Sequence, residues 1–389
     1  MKILIINSGE LPVPPVEGGA VEGLINMFIE DKKIQQSYDC TVISKYSLKA
    51  YEESKKYNCN FKFINTNGVV YRFEKAIRFI INKISPIYIG NAYISRVKKL
   101  LKNTKYDLII IENTPQYGLI LKHFFSKYLV LHLHNDYLNA SSKFNKKILE
   151  TYDKIFAISN YIKKRIDSVE TTNKVEVLYN GVDLNQFKVV EKDYKLMKKF
   201  NISETDFVFI CSGRIVSEKG ILELIKAFNK VSLKNEVLLI VGSPYYGTNK
   251  ASSYMRKVLE VAKKNNRIHF TGYIKHSEIG RLYSIGDFGI IPSKCNEAFG
   301  LSAVEFLASG MPVIVTNDGA LPEIVNEKSG IIIDKNNLER NLESAIKKVR
   351  ALNSKEFNNM KNEALLNSRV FSRKKYCEKF NKYISIYKV

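Results

Sequence analysis

Two glutamates, Glu297 and Glu305, stand eight positions apart in the string CNEAFGLSAVEFLASGMPVIVT, residues 295–316. Leu301, Val304, Leu307 and Ala308 recur with helical period after the Phe299-Gly300 turn. Gly310 supplies the left-handed residue on which a helix ends, and Pro312 stops its continuation. Val313-Ile314-Val315 then reads as a buried strand. Glu297 is therefore expected in the loop before a helix and Glu305 in the early turns of it. Free backbone N–H groups and the positive end of the helix dipole make that loop an anion site. A carboxylate beside such a site is electrostatically awkward unless it accepts from a neutral polar ligand such as a sugar hydroxyl. Surface glutamates on a capped helix are the plain alternative for either residue alone, and the whole string argues against it.

Other groups able to do chemistry lie at expected strand ends. Ser212-Gly213-Arg214 follows the strand Phe207–Cys211, with Lys219-Gly220 close behind. Ligands of open α/β sheets bind at the carboxyl ends of strands. Two cations there, a planar guanidinium and an ammonium, suit a diphosphate whose charge grows as a bond breaks. Gly18-Gly19 closes a proline-containing loop after the first strand and precedes a helix near Ala20, another place where backbone can approach an anion. His132 and His134, in LHLHND, share one face of a strand, with His134 at its carboxyl end. Tyr179-Asn180-Gly181-Val182-Asp183 reads as a structural turn. Residues 72–105 carry nine cationic side chains against one acidic. There Arg96, Lys99 and Lys102 stand at helical spacing opposite Ile94, Val97 and Leu101, a pattern that suits an anionic membrane surface.

The elements that must position these groups alternate between strand and helix from end to end, which argues for α/β architecture with parallel sheets. In the first half the strands are Ile3–Ile6, Thr41–Ile43, Leu108–Ile111, Leu129–Leu133 and Lys154–Ala157, with a helix over Ala20–Gln36. In the second they are Phe207–Cys211, Val237–Val241, Ile268–Phe270, Phe288–Ile291, Val313–Val315 and Ile331–Ile333. Helices are expected at Ile221–Val231, Tyr254–Lys263 and Glu278–Ser284. Two such series predict two Rossmann-like domains facing a cleft. The boundary falls near the Lys-rich stretch 184–204, and Phe371–Tyr387 reads as a final basic helix.

The chain has 389 residues, enough for two cores, and a net charge of +22. Nucleic acid, anionic membrane, a phosphorylated substrate or composition alone would each account for that charge. No recognised nucleic-acid module with stacking aromatics is present, so nucleic acid is not expected as a partner. The five cysteines are scattered without zinc or redox spacing, and the five histidines form no metal cluster in the sequence. MKILIINSGE reads as a first strand rather than a secretory signal, and no apolar run approaches the roughly 20 residues that span a bilayer. A cytoplasmic protein, peripheral at the inner face of the membrane, is the expectation.

The string Glu297, Phe299, Gly300, Glu305, Gly310, Pro312 resembles the signature of the retaining nucleotide-sugar glycosyltransferases of family 4 (glycosyl transferases group 1), which have the GT-B fold. The resemblance runs through residues 205–335 and more thinly across the N-terminal half. It implies that Glu297 contacts the donor sugar and Glu305 the nucleotide ribose, with Phe299 and Gly300 in the same donor loop. Gly213, Arg214 and Lys219 become the donor-phosphate clamp. His134 bonds the donor sugar, and the Gly18-Gly19 loop closes over the phosphates and acceptor. The implied domains are 1–184 for the acceptor, 185–370 for the donor, and a helix over 371–389 returning to the first domain. No metal and no cofactor are implied. The donor is a nucleoside diphosphate hexose, with UDP expected, and the acceptor is a glycan or lipid-linked molecule of capsule, exopolysaccharide or lipopolysaccharide assembly. Rival readings are a non-catalytic GT-B partner subunit, a nucleotide-sugar epimerase, or a glycogen-type synthase.

Overall fold

Runs such as Leu4-Ile5-Ile6 and Ile109-Ile110-Ile111 have no polar face. They are stable as strands only where helices cover both faces of a sheet, the usual setting of parallel sheets. In the computed structural model, which describes residues 1–388 apart from 103, 123–125 and 245–251, this happens twice. The chain divides into two units, Met1–Gly181 with Lys374–Val389, and Val182–Arg373.

The first unit holds β1 (Lys2–Ile6), β2 (Asp39–Lys45), β3 (Asn60–Ile64), β4 (Tyr106–Glu112), β5 (Ser126–Leu133), β6 (Lys154–Ala157) and β7 (Val175–Val177). They form one parallel sheet in the order β3-β2-β1-β4-β5-β6-β7. The order reverses between β1 and β4, where Ile3 to Ile6 stand beside Leu108 to Ile111. At such a reversal the connecting helices leave on opposite faces, and a crevice opens at the carboxyl ends. The helix Arg373–Ser385 completes this unit's core with Tyr376, Cys377, Phe380 and Ile384. The Phe380 ring lies 4.5 Å from that of Phe28.

The second unit holds β8 (Phe207–Ser212), β9 (Glu236–Val241), β10 (Ile268–Gly272), β11 (Phe288–Ile291), β12 (Val313–Thr316) and β13 (Gly330–Ile333). Their order is β10-β9-β8-β11-β12-β13, again parallel throughout. Here the reversal falls between β8 and β11. The helices Ile221–Val231 and Leu338–Arg350 bury their apolar sides on this sheet.

Three departures from the sequence expectation have physical reasons. The predicted helix over 20–36 is two, Ala20–Glu30 and Lys32–Ser37. Asp31 turns extended and its carboxylate accepts from the N–H groups of Lys33 and Ile34, capping the second. Strands β3 and β7 are absent from the sequence reading because both are edge strands, only partly buried and weakly patterned. In the basic stretch 72–105, where residue 103 lies outside the description, the helix Ala92–Leu101 spends its apolar side on the core. Ile94, Val97 and Leu101 are fully buried, so this helix has no apolar face left for a membrane. Among the described residues no helix is long and apolar enough to cross a membrane.

Candidate active site

In the second unit the carboxyl ends of β8 and β11 flank the sheet's reversal and carry the predicted cations and the first glutamate. Gly213 follows β8 at φ +150°, and Arg214 is exposed with no side-chain hydrogen bond or ion pair among the described residues. A short 3-10 turn, Ser217–Lys219, brings the chain to Gly220, which starts the helix Ile221–Val231 in the left-handed region at φ +65°. A Cβ on Gly220 would stand 1.9 Å from the Pro292 carbonyl oxygen, so only glycine allows this turn to lie against the loop after β11. That close approach delivers Lys219 to its partner. Its Nζ forms an ion pair with Glu297 Oε1, and Ser293 Oγ donates to the same oxygen at 2.5 Å. Ser293 is itself fixed, its carbonyl accepting from Thr316 Oγ1 at 2.8 Å at the end of β12.

Glu297 also depends on a residue that the sequence reading passed over. Gly319 has φ +56°, and a Cβ there would stand 2.1 Å from the Glu297 carbonyl oxygen. This leaves room for the Ala320 N–H to donate to that oxygen at 2.8 Å. The Asp-Gly pair at 318–319 is the available signal, since it marks a turn. Gly300, at φ +104°, starts the helix Leu301–Ala308. The Phe299 side chain is buried and stands edge-on to Phe371 at 5.8 Å, so its ring packs the loop rather than lining an open surface.

Glu305 is buried on that helix. Its Oε1 lies 2.9 Å from His276 Nε2, and Oε2 lies 3.5 Å from the Tyr283 hydroxyl. Both partners belong to the helix His276–Tyr283. The hydrogen bond that His276 donates to Glu305 raises the His276 pKa above the ordinary histidine value, against the opposing effect of burial. Nothing in the sequence pairs His276 with Glu305, 29 positions away, because the pairing needs two helices packed on one sheet.

In the first unit, His132 and His134 point to one side of β5, as strand alternation requires. Register places Glu112, the last residue of β4, beside His132. Glu112 Oε2 lies 2.7 Å from His134 Nε2 and 3.1 Å from His132 Nδ1, the latter off the line of a good hydrogen bond. Burial alone would raise the Glu112 carboxyl. Electrostatic attraction to the neighbouring His132 and the hydrogen bond from His134 outweigh it and hold the pKa at about 2. Burial, helped by the neighbouring His132 charge, lowers His134 to about 4, against the pull of Glu112. At neutral pH His134 is therefore a neutral ring donating its Nε2–H to a carboxylate, which keeps Nδ1 as an acceptor for a ligand hydroxyl. Asn113, left-handed at φ +57°, accepts from the His134 backbone N–H at 3.0 Å and fixes the end of the strand. Behind the pair, the rings of Tyr376 and Phe380 lie 6.3 and 5.5 Å from His132.

Glu112, His132 and His134 are also the group of described residues whose donor atoms could share a metal ion. The sequence gives no sign of it, since the carboxylate comes from a different strand. The hydrogen bond of His134 to the carboxylate, with His132 beside it at 3.1 Å, accounts for the arrangement. Glu112→Ala is expected to leave the buried His134 imidazole without its acceptor, at a cost of about 1–3 kcal/mol in denaturant unfolding. An unchanged midpoint and slope would show the contact to be idle.

Gly18 and Gly19 stand at φ +83° and +109°, with Gly19 at the start of the helix Ala20–Glu30. The buried Glu22 carboxylate lies over Gly19, since a Cβ there would stand 2.1 Å from Glu22 Oε2. Burial raises the Glu22 pKa, opposed by hydrogen bonds from its own backbone and from Asn7.

Residues 193–366 match the family described as Glycosyl transferases group 1, and residues 35–186 match Glycosyltransferase Family 4. An uncharacterized glycosyltransferase of Methanocaldococcus jannaschii is 31% identical over 263 residues, which are 64% of this chain and 67% of that protein. The lipopolysaccharide 1,2-N-acetylglucosaminetransferase of Salmonella typhimurium is 27% identical over 332 residues, 83% of this chain and 82% of that one. In fold, the chain is similar to Anabaena HepE, solved with UDP and glucose, at a TM-score of 0.74 and 19% identity over 99% of both chains.

Proposed function

The chain belongs to the group 1 glycosyl transferases and has their GT-B fold, and from that premise we propose that it moves a hexose from a nucleoside diphosphate sugar to a glycan or lipid-linked acceptor with retention of anomeric configuration. The observation that carries this reading is the cluster at the reversal of the second sheet. There, exposed Arg214 and half-buried Lys219, whose partner Glu297 also accepts from Ser293, stand at the carboxyl ends of β8 and β11. A diphosphate leaving group would meet two cations, and the sugar would meet a carboxylate held ready to accept from its hydroxyls. In the second unit we assign the ribose to Glu305, the donor sugar to Glu297, and the phosphates to Gly213, Arg214 and Lys219. In the first unit we assign His134 to a ligand hydroxyl and the Gly18-Gly19 turn to an anion. Intact Arg214, Lys219 and Glu297 speak against a non-catalytic partner subunit.

We assign UDP as the nucleotide, the one held by the Anabaena protein, and envelope polysaccharide or lipopolysaccharide assembly at the inner membrane face as the setting, in keeping with the name of the Salmonella relative. The cationic pair takes the part a divalent ion plays in other transferases, so the proposed reaction needs no metal and no cofactor. With a UDP-hexose donor, turnover should survive excess chelator, and proton NMR of the first-formed product should show the donor's own anomeric configuration. Activity abolished by chelator and restored by manganese, or a product of inverted configuration, would contradict the mechanism.

A further inference from the structure

The helix Val69–Ile84 is turned inside out. Only Tyr71 of its sixteen residues is buried. Phe73, Ile77, Ile80 and Ile84 recur at helical spacing along one side and are all exposed, Phe73 at 68%, Ile80 at 60% and Ile84 at 78%. Val69, Val70 and Ile81 widen that stripe, and exposed Ile87 continues it beyond the helix. The polar side is the one that holds the helix to the first unit. The Arg96 guanidinium sits 4.6 Å from the centre of the Tyr71 ring. Arg78 Nη1 donates to the Ile89 carbonyl at 3.0 Å while Nε pairs with Glu74 at 2.9 Å. The Asn82 side chain bonds Ile89 N–H and Gly90 carbonyl, at 2.9 and 3.1 Å. Lys143 ties down the helix end through the Asn82 and Ser85 carbonyls, each at 2.9 Å. Surface helices of globular domains turn their apolar stripe to the core. Here specific polar contacts fix the opposite orientation, so the exposed stripe is a built surface rather than a loosely packed one.

Charge decides what covers it. Arg72, Lys75 and Lys83 stand exposed beside the stripe, while the helix's one acidic residue, Glu74, is already paired with Arg78. A second copy of this chain would bring another +22 against these cations. An anionic lipid surface offers the opposite charge and an apolar layer a few ångströms beneath it. Sixteen residues make a helix of about 24 Å, too short to span a bilayer and suited to lying in its plane. We propose that Val69–Ile84 inserts its apolar stripe into the interface of an anionic membrane and is the element by which the chain meets that membrane. The inference deepens the proposed function, whose acceptor and setting it serves, but vesicle binding itself does not depend on catalysis.

Sedimentation with vesicles of phosphatidylcholine alone, and with added phosphatidylglycerol, tests it on the whole chain. Wild type should pellet with the anionic vesicles and not the neutral ones. The variant Phe73→Ser/Ile77→Ser/Ile80→Ser/Ile84→Ser should bind about tenfold more weakly or worse. Its circular dichroism should match wild type, because all four side chains are exposed. Replacing Lys98, Lys99 and Lys102 by Ser, at the helix whose apolar side is buried and away from the anchors of 69–84, should cost much less. Absent pelleting of wild type, equal pelleting of wild type and the four-serine variant, or a loss confined to the Lys98 set would each overturn the inference. So would a wild-type dimer in light scattering that the four-serine variant loses. UDP-sugar binding by the same preparations separates the two proposals. A chain that binds donor but no vesicle refutes the surface, and one that binds vesicle but no donor refutes the function.

Discussion

Lys219→Ala and Arg214→Ala are each expected to lower hexose transfer by about 10² to 10³ in turnover, the usual loss when one preorganised charge-stabilising group is removed. The two substitutions differ in what they leave behind. Arg214 is exposed and unpaired among the described residues, so its removal should take away only its action on the leaving diphosphate. Lys219 also neutralises Glu297, and its loss leaves that carboxylate largely shielded from solvent with Ser293 as its remaining donor. Lys219→Ala and Glu297→Ala should therefore be non-additive, the double variant being less impaired than the product of the single effects. Arg214→Ala combined with Glu297→Ala should come closer to multiplying. Near wild-type turnover in both cation variants would remove the clamp from the account.

The two glutamates are expected to separate binding from turnover. Glu305→Ala deletes a charged acceptor that His276 and Tyr283 hold in place, and UDP affinity should drop about 10- to 100-fold, the equivalent of losing one hydrogen bond to a charged group. Glu297→Ala should leave UDP affinity within a few-fold of wild type and cut turnover, since the sugar rather than the nucleotide is its ligand. Calorimetric titration of UDP into both variants reads the difference. Equal affinities would mean that the division of labour is wrong.

Glu297, Gly300 and Glu305 were legible because they fall in one continuous string. There a turn glycine, a helical period and a terminating Gly-x-Pro leave few alternatives. Arg214 and Lys219 were legible because a strand end followed by glycines is a local pattern. Glu112, His276, Ser293 and Gly319 were not, since each acts through a residue on another element and acquires its meaning only from sheet register or helix packing. The same limit explains the basic stretch. Periodicity marked Ile94, Val97 and Leu101 as an apolar side but could not say that the core takes it. Nor could it say that the neighbouring helix 69–84 is held by its polar side, because Tyr71, Arg78 and Asn82 find their partners on other segments. The sheets were legible for the opposite reason. Strands buried on both faces are continuously apolar, and only the edge strands β3 and β7, half covered, lacked that signature.

The central claim is that this chain holds a nucleoside diphosphate sugar through Arg214, Lys219, Glu297 and Glu305. Thermal unfolding of the whole chain against UDP-, GDP- and ADP-hexoses tests it most directly. A ligand at a hundred times its dissociation constant stabilises by about 2.7 kcal/mol, roughly 5–10 °C for a domain of this size. The account predicts such a rise with a UDP-hexose, a much smaller one with the same ligand on Glu305→Ala, and little with the other nucleotides. No rise with any of the three sugars, or an equal rise in wild type and Glu305→Ala, would contradict it.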